Sequence, residues 1–309
     1  MIQTELKPVT VYRSTDTGAP QLTNAVGSLK TVLKACLVEG YGSRPSLGWE
    51  MPFENTTTAV FKSRDPKSPN AALRVKNHEK FYAELAMMVA PTSLDAAEKI
   101  AEHGTGRLFQ YLPNNKANTK WMLVGHGRAF VLLVQGHYKT RFIWFGDFPT
   151  LAAGDTGNCA LLYNSDGSYK YMTANNSSYR TPKLLGYFGG GSSATAIIAK
   201  SSTGLSLGLT ECTLSSQCGT FAGLPFPDVI TNGLSISECY LHEFNGGTYP
   251  MRGLLPGMYA CANNLNSLEE WSEMGDFMGS SDRFVSCCFE ESGVASYGYF
   301  LINITAWRV

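Results

Sequence analysis

The chain has 309 residues, 44% of them hydrophobic and 16% charged, with 25 basic and 25 acidic side chains and a formal net charge of zero. That apolar content supports a sizeable core and argues against disorder. No Lys/Arg run exceeds two residues, and no segment approaches the ~18 continuous apolar residues of a membrane-spanning helix, so neither a nucleic-acid footprint nor a membrane span is expected.

The N-terminal Met1 to Ser14 lacks the basic-then-apolar pattern of a signal peptide, and folding in a cytoplasm is expected. Thr10 to Ser14 reads as a short strand, followed by turn chemistry from Thr15 to Pro20. From Thr23 to Glu39, Val26, Leu29, Val32, Leu33, Cys36 and Leu37 recur at helical spacing. Asn24 or Ser28 is the expected cap and Gly40 the expected stop. Leu47 to Phe53 and Thr56 to Lys62 form a candidate hairpin around Glu54-Asn55, and Ala72 to Lys76 and Phe81 to Val89 are further strands. Thr92 and Asp95 are spaced like a capping box, which predicts a short helix to about His103. Leu108 to Leu112 is a strand.

Trp121 to Asp155 is the organising block: three apolar runs separated by Gly125-His126-Gly127-Arg128 and Gly136-His137-Tyr138-Lys139. Consecutive antiparallel strands look like this, and the glycines supply residues that tolerate positive φ in tight turns. Asn158 to Tyr163 is a strand. A long polar segment follows, Asn164 to Pro182, which suits an interface arm. Ala194 to Lys200, Gly204 to Thr210, Ser235 to Glu243, Met258 to Ala262, Phe284 to Glu290 and Tyr297 to Trp307 are strands. Leu224 to Pro227 and Leu255-Pro256-Gly257 read as turns, and Leu268 to Glu273 as one helical turn.

The expected fold is therefore mainly β with a few short helices, an α+β chain of antiparallel sandwich-like or barrel-like sheets with one N-terminal amphipathic helix at 23–39. The expected organisation is an N-terminal β-rich lobe, 1–180, and a C-terminal β-rich lobe, 181–309, or one continuous domain.

Catalysis needs a nucleophile, a base and an orienting group that can meet. Cys239, His242 and Glu243 share five residues, but on a strand Cys239 and His242 face opposite sides. Asp147 and Asp155 follow glycines at strand ends, where paired carboxylates could hold a cation or act as acid and base, although Gly-Asp there is also ordinary turn chemistry. His126 and His137 sit at turns, His78 in a polar turn and His103 at a helix end. Gly125-x-Gly127 lacks the third glycine of a dinucleotide site, and Gly189 to Gly191 lacks the Lys-Ser/Thr of a phosphate loop. The eight cysteines include no C-x-x-C pair, so zinc is not expected; they read as free, buried thiols, Cys287 and Cys288 on opposite strand faces and Cys36 in the helix core. A Cys212–Cys218 disulfide stays open for a protein released from the cell. Trp121, Phe142, Trp144, Phe145 and Phe148 could form a carbohydrate-stacking platform, or core or subunit interface. No catalytic, cofactor or metal residue is assigned from this inventory.

Four stretches carry a resemblance: Val11 to Phe53, with S-T-D-T-G-A-P and A-C-L-V-E-G-Y-G; Trp121 to Val134, with V-G-H-G-R; Phe145 to Leu161, with F-G-D and G-D; and Met251 to Ala260, with R-G-L-L-P-G-M-Y. Together they resemble a family of uncharacterised virion proteins of tailed bacteriophages and prophages. His126 stands where that family's hairpin is expected to carry Asp, which argues against a catalytic role there. The resemblance implies a structural component of the particle, tail, baseplate or neck associated, located in the virion after synthesis in the host cytoplasm. It implies other virion proteins as partners, a homo-oligomer of cyclic symmetry and no enzyme activity. Host-surface recognition of glycan or protein, capsid decoration, or an enzyme acting on the cell envelope are the other readings.

Overall fold

The computed structural model of the chain describes residues 5–89, 93, 108–113, 116–136, 140–164, 194–199, 209–216, 224–243, 248–275, 280–288 and 299–309. It is mainly β. In chain order the N-terminal part holds β1 (Leu6–Pro8), β2 (Thr10–Arg13), β3 (Leu22–Thr23), helix α1 (Ser28–Lys34) continued by a π-helical turn (Ala35–Glu39), β4 (Glu50–Glu54), β5 (Thr58–Lys62), β6 (Ala71–Glu79), β7 (Tyr82–Val89), β8 (Leu108–Gln110) and β9 (Asn118–Thr119). The central block follows as β10 (Trp121–His126), β11 (Ala129–Gln135), β12 (Thr140–Asp147) and β13 (Cys159–Asn164). Then come β14 (Ala194–Ala199), β15 (Leu209–Ser216), β16 (Ile236–Glu243), β17 (Met251–Cys261), β18 (Glu273–Gly275), β19 (Arg283–Cys288), β20 (Tyr299–Asn303) and β21 (Ala306–Arg308).

These strands form a 12-stranded antiparallel sheet in the order β18-β19-β20-β17-β16-β15-β14-β13-β12-β11-β10-β2, a five-stranded meander β4 to β8, and the small pairs β1-β21 and β3-β9. The large sheet runs from the first half of the chain into the second, with Ala160 of β13 paired to Ile198 of β14. It curls without closing. Its two edges, β2 and β18, come together through the Arg13–Glu273 ion pair, but no ladder joins them among the described residues.

The continuous apolar runs of the central block follow from its position as the middle layer. Side chains alternate along a strand, so Leu123, Phe130, Leu132, Ile143 and Phe145 face the helix and the five-stranded sheet. Val124, Val131, Leu133, Phe142 and Trp144 face the folded-over second half, among Leu255, Met258, Phe300 and Trp307. Both faces are buried, so the hydrophobic pattern does not alternate with polar residues. The same alternation sends Cys287 and Cys288 into different clusters, as their adjacency predicts.

Local expectations fail where backbone geometry was hidden. The helix begins at Ser28, not Thr23. Leu22 and Thr23 pair instead with Thr119 and Asn118, and the Ser28 hydroxyl accepts the Thr23 N–H at 2.7 Å. Gly27, at φ 91°, is the N-cap, so neither Asn24 nor Ser28 caps and Val26 is left exposed. Gly40 ends the helix as expected, at φ 81°. In the β10–β11 hairpin neither Gly125 nor Gly127 takes a positive φ. Gly125 is required instead by a close approach, since a Cβ there would lie 2.6 Å from the Ala129 carbonyl oxygen.

Leu255-Pro256-Gly257, expected as a turn, lies inside β17. It forms a bulge, with Glu238 paired to Tyr259 but the next residue, Cys239, to Leu255. The bulge absorbs the missing proline N–H and the positive φ of Gly257 without ending the strand. Leu268 to Glu273 contains no helical turn; Trp271 has φ 66° and β18 starts at Glu273. Tyr297 to Trp307 is not one strand, because the Asn303 side chain accepts the Thr305 and Ala306 N–H groups and turns the chain between β20 and β21. His78 lies within β6, not in a turn. The helix expected at Thr92 to His103, most of the 164–182 loop, the 189–191 glycines, His137 and Cys218 lie outside the described residues.

Candidate functional site

Asp147 ends β12 and faces Arg128 in the β10–β11 turn. Arg128 Nε donates to Asp147 Oδ2 at 2.8 Å, and the Ser68 hydroxyl donates to the same oxygen. Gly146 lets the strand pass this close: its φ is 144°, and a Cβ would meet Ala129 Cα at 2.4 Å. Ser63 donates to the Gly127 carbonyl at 2.6 Å, so the junction ties the β5–β6 loop of the small sheet to the central hairpin. Burial pushes the Asp147 carboxyl pKa up to about 6, outweighing the Ser68 and Arg128 hydrogen bonds.

His126 is buried beside this junction. Its Nδ1 accepts the Arg128 backbone N–H at 3.1 Å, which leaves the proton on Nε2, an atom with no hydrogen-bond partner. The ring meets Trp307 at 77° with centroids 5.5 Å apart. Burial, reinforced by Lys7 and Arg128, holds its pKa at about 3, so it stays neutral at ordinary pH. A solvent-exchanging base it is not; it is a core side chain, consistent with its assignment to structure from sequence.

Asp155 is equally enclosed. Arg252 Nη2 and Nε donate to its two carboxylate oxygens at 2.8 and 2.9 Å. The Thr150 hydroxyl donates to Asp155 Oδ2 at 2.8 Å, and Arg252 Nη1 reaches Glu243 Oε2 at 3.0 Å and the Ala199 carbonyl. The guanidinium sits 5.9 Å from the centroid of the Phe148 ring. One arginine therefore joins the 150–155 loop, β14, β16 and β17. The carboxylates that looked able to bind a cation or trade protons each accept from their own arginine.

Cys239 points into the core and His242 away from it, as alternation requires. The structure gives His242 a partner that sequence reasoning missed. Ser215 Oγ lies 2.6 Å from His242 Nε2, and His242 Nδ1 lies 3.0 Å from the Tyr249 carbonyl oxygen. A carbonyl only accepts, so Nδ1 carries the proton and Nε2 accepts from the serine hydroxyl. Hydroxyl, imidazole and orienting acceptor stand in the order a base-assisted nucleophile uses. The signal was unreadable because it depends on the β15–β16 register, which sets Thr213 opposite His242 and Ser215 opposite Tyr240.

Trp121, Phe142, Trp144, Phe145 and Phe148 are all buried, so they supply core and not a carbohydrate platform. A recess of about 20 Å³ between Asn266, Glu270, Cys288 and Tyr299 has room for one water. No group of three His, Cys, Asp or Glu side chains converges on a metal position among the described residues, and no helix is long and apolar enough to cross a membrane. No family model and no curated protein matches the chain.

Proposed function

We propose that the chain is a structural subunit of a tailed-phage particle, associated with tail, baseplate or neck, working through subunit contacts. The resemblance of the quoted motifs supports this reading, and one structural observation carries it further. The charged side chains best placed for chemistry, Asp147, Asp155, Arg128 and Arg252, are spent on one another in buried junctions that brace the layers. A braced scaffold with low surface charge suits a protein that is covered by neighbours, because interface cores are poor in charge. Immunogold microscopy of purified particles, with antibody raised against the chain, tests it. Label on tail, neck or baseplate is expected. Label on the head makes it a capsid decoration protein, and no label on intact or disrupted particles refutes a virion role.

A second reading rests on the Ser215–His242–Tyr249 relay, which would suit an acyl hydrolase acting on the cell envelope. A fluorophosphonate probe that labels wild type but not Ser215→Ala or His242→Ala favours it; an unlabelled wild type removes it.

A further inference from the structure

The most exposed large apolar side chains are neighbours at one loop tip. Val229 is 83% and Ile230 90% exposed. The loop that carries them is stiff. Asp228 Oδ1 accepts from the Ile230 N–H, the Thr231 N–H and the Thr231 hydroxyl at 3.1, 2.8 and 2.9 Å, and the Asp228 and Asn232 N–H groups close the turn on Gly233 O and Asp228 O. Its base is pinned by buried Asn263, which donates to Pro225 O at 2.6 Å and accepts the Ser235 N–H at 2.7 Å. A preformed apolar knob loses little conformational freedom when it docks. Asp228 is the single charged residue from Leu224 to Ser237, and its carboxylate is engaged in the turn.

A second apolar surface lies at the other end of the same hairpin. Leu151, Tyr249 and Met251 are 45%, 44% and 46% exposed. Tyr249 and Met251 are two residues apart beside β17, and the Leu151 N–H donates to Arg252 O at 2.7 Å, which holds its loop against Met251. The charges beneath, Asp155 and Arg252, neutralise each other. The knob precedes Ile236, which pairs with Cys261, whereas the patch adjoins His242, which pairs with Met251. The eight residues of β16 separate the two surfaces by roughly 25 Å along the strand direction.

We propose that copies of this chain associate head to tail, with the Val229–Ile230 knob of one seated on the Leu151–Tyr249–Met251 patch of the next. Two different surfaces at opposite ends of one molecule make a heterologous contact, which closes into a ring or continues as a filament according to the rotation between copies. With zero formal net charge, no long-range repulsion opposes it. The proposal deepens the virion-subunit reading and rests on it for its biological setting.

Sedimentation velocity on the full chain tests it, with Val229→Ser/Ile230→Ser as the knob variant and Leu151→Asp/Met251→Asp as the patch variant. Circular dichroism and melting temperatures matching wild type show that each still folds, and Val229→Asp/Ile230→Asp is a second knob variant. Wild type is expected to grow in mass with concentration, and each variant to sediment as one chain. An equimolar mixture of knob and patch variants is expected to form a dimer that goes no further, since one intact knob meets one intact patch. A wild type that stays monomeric, variants that assemble like wild type, or a mixture with no dimer would each overturn the contact. Immunogold labelling separates the two ideas: a labelled particle with a monomeric protein refutes this contact alone, whereas an assembling protein absent from particles refutes the virion role alone.

Discussion

Exchanging His126 for Asn isolates the electrostatics of the buried hairpin. Asn retains an acceptor for the Arg128 N–H but does not titrate. In the native state burial lowers the His126 pKa from 6.5 to about 3. The unfolded chain then binds more protons, and stability present above the unfolded value is lost as pH falls toward the folded one. Asp147 works the opposite way. Its pKa is raised from 3.8 to about 6, so its contribution is present below the unfolded value and lost as pH rises through the folded one. Between about pH 7 and about pH 4.5, His126 costs the wild type about 2.5 kcal/mol while Asp147 returns about 2 kcal/mol, at about 1.4 kcal/mol per pKa unit. The variant keeps only the Asp147 gain. Urea denaturation at the two pH values should therefore show the stability gap between wild type and His126→Asn moving by about 2.5 kcal/mol in favour of the variant on acidification. Every other carboxylate is common to both proteins and cancels. A gap that stays constant within about 0.5 kcal/mol would refute a buried neutral His126.

Gly257→Ala places a Cβ 2.1 Å from Trp307 Cε2 at a φ of 73°, and should destabilise by about 3 kcal/mol or more in denaturant titration; a neutral result would mean that Trp307 does not fill the bulge. Asp155→Ala strands the buried Arg252 and should cost about 3–5 kcal/mol, while Arg252→Met combined with Asp155→Leu should cost clearly less, as chemical denaturation of the three proteins would show. A single-mutant penalty no larger than that of the pair would contradict the buried junction. Cys36, Cys159, Cys212, Cys239, Cys261, Cys287 and Cys288 are free and buried, and burial pushes the Cys36, Cys159 and Cys287 thiols up. Iodoacetamide followed by peptide mass spectrometry should find these seven unmodified in native protein and all modified after unfolding; rapid native labelling of any would contradict its burial.

Much of the fold was legible. The three strands of the central block, the β4–β5 and β6–β7 hairpins and the core stripe of α1 follow from apolar periodicity, a local property. Boundaries moved where a distant partner competed, as when Thr119 drew Leu22 away from the helix. Proline and glycine at 256–257 signalled a break, yet the pairings on both sides of the bulge kept the strand intact.

The candidate site was less legible, because its chemistry depends on partners far along the chain. Asp155 and Arg252 are 97 residues apart and Ser215 and His242 are 27 apart, and no spacing rule joins them. By itself the sequence determined a mainly β protein with a strongly apolar central block and no charge for nucleic acid to read. Only the tertiary structure decided that this block is the middle layer, that Asp147 and Asp155 are enclosed by arginines, and that an apolar knob and patch stand at opposite ends of one hairpin. Periodicity is written in neighbouring residues, whereas burial, ionisation and exposure depend on which distant strands the sheet brings together.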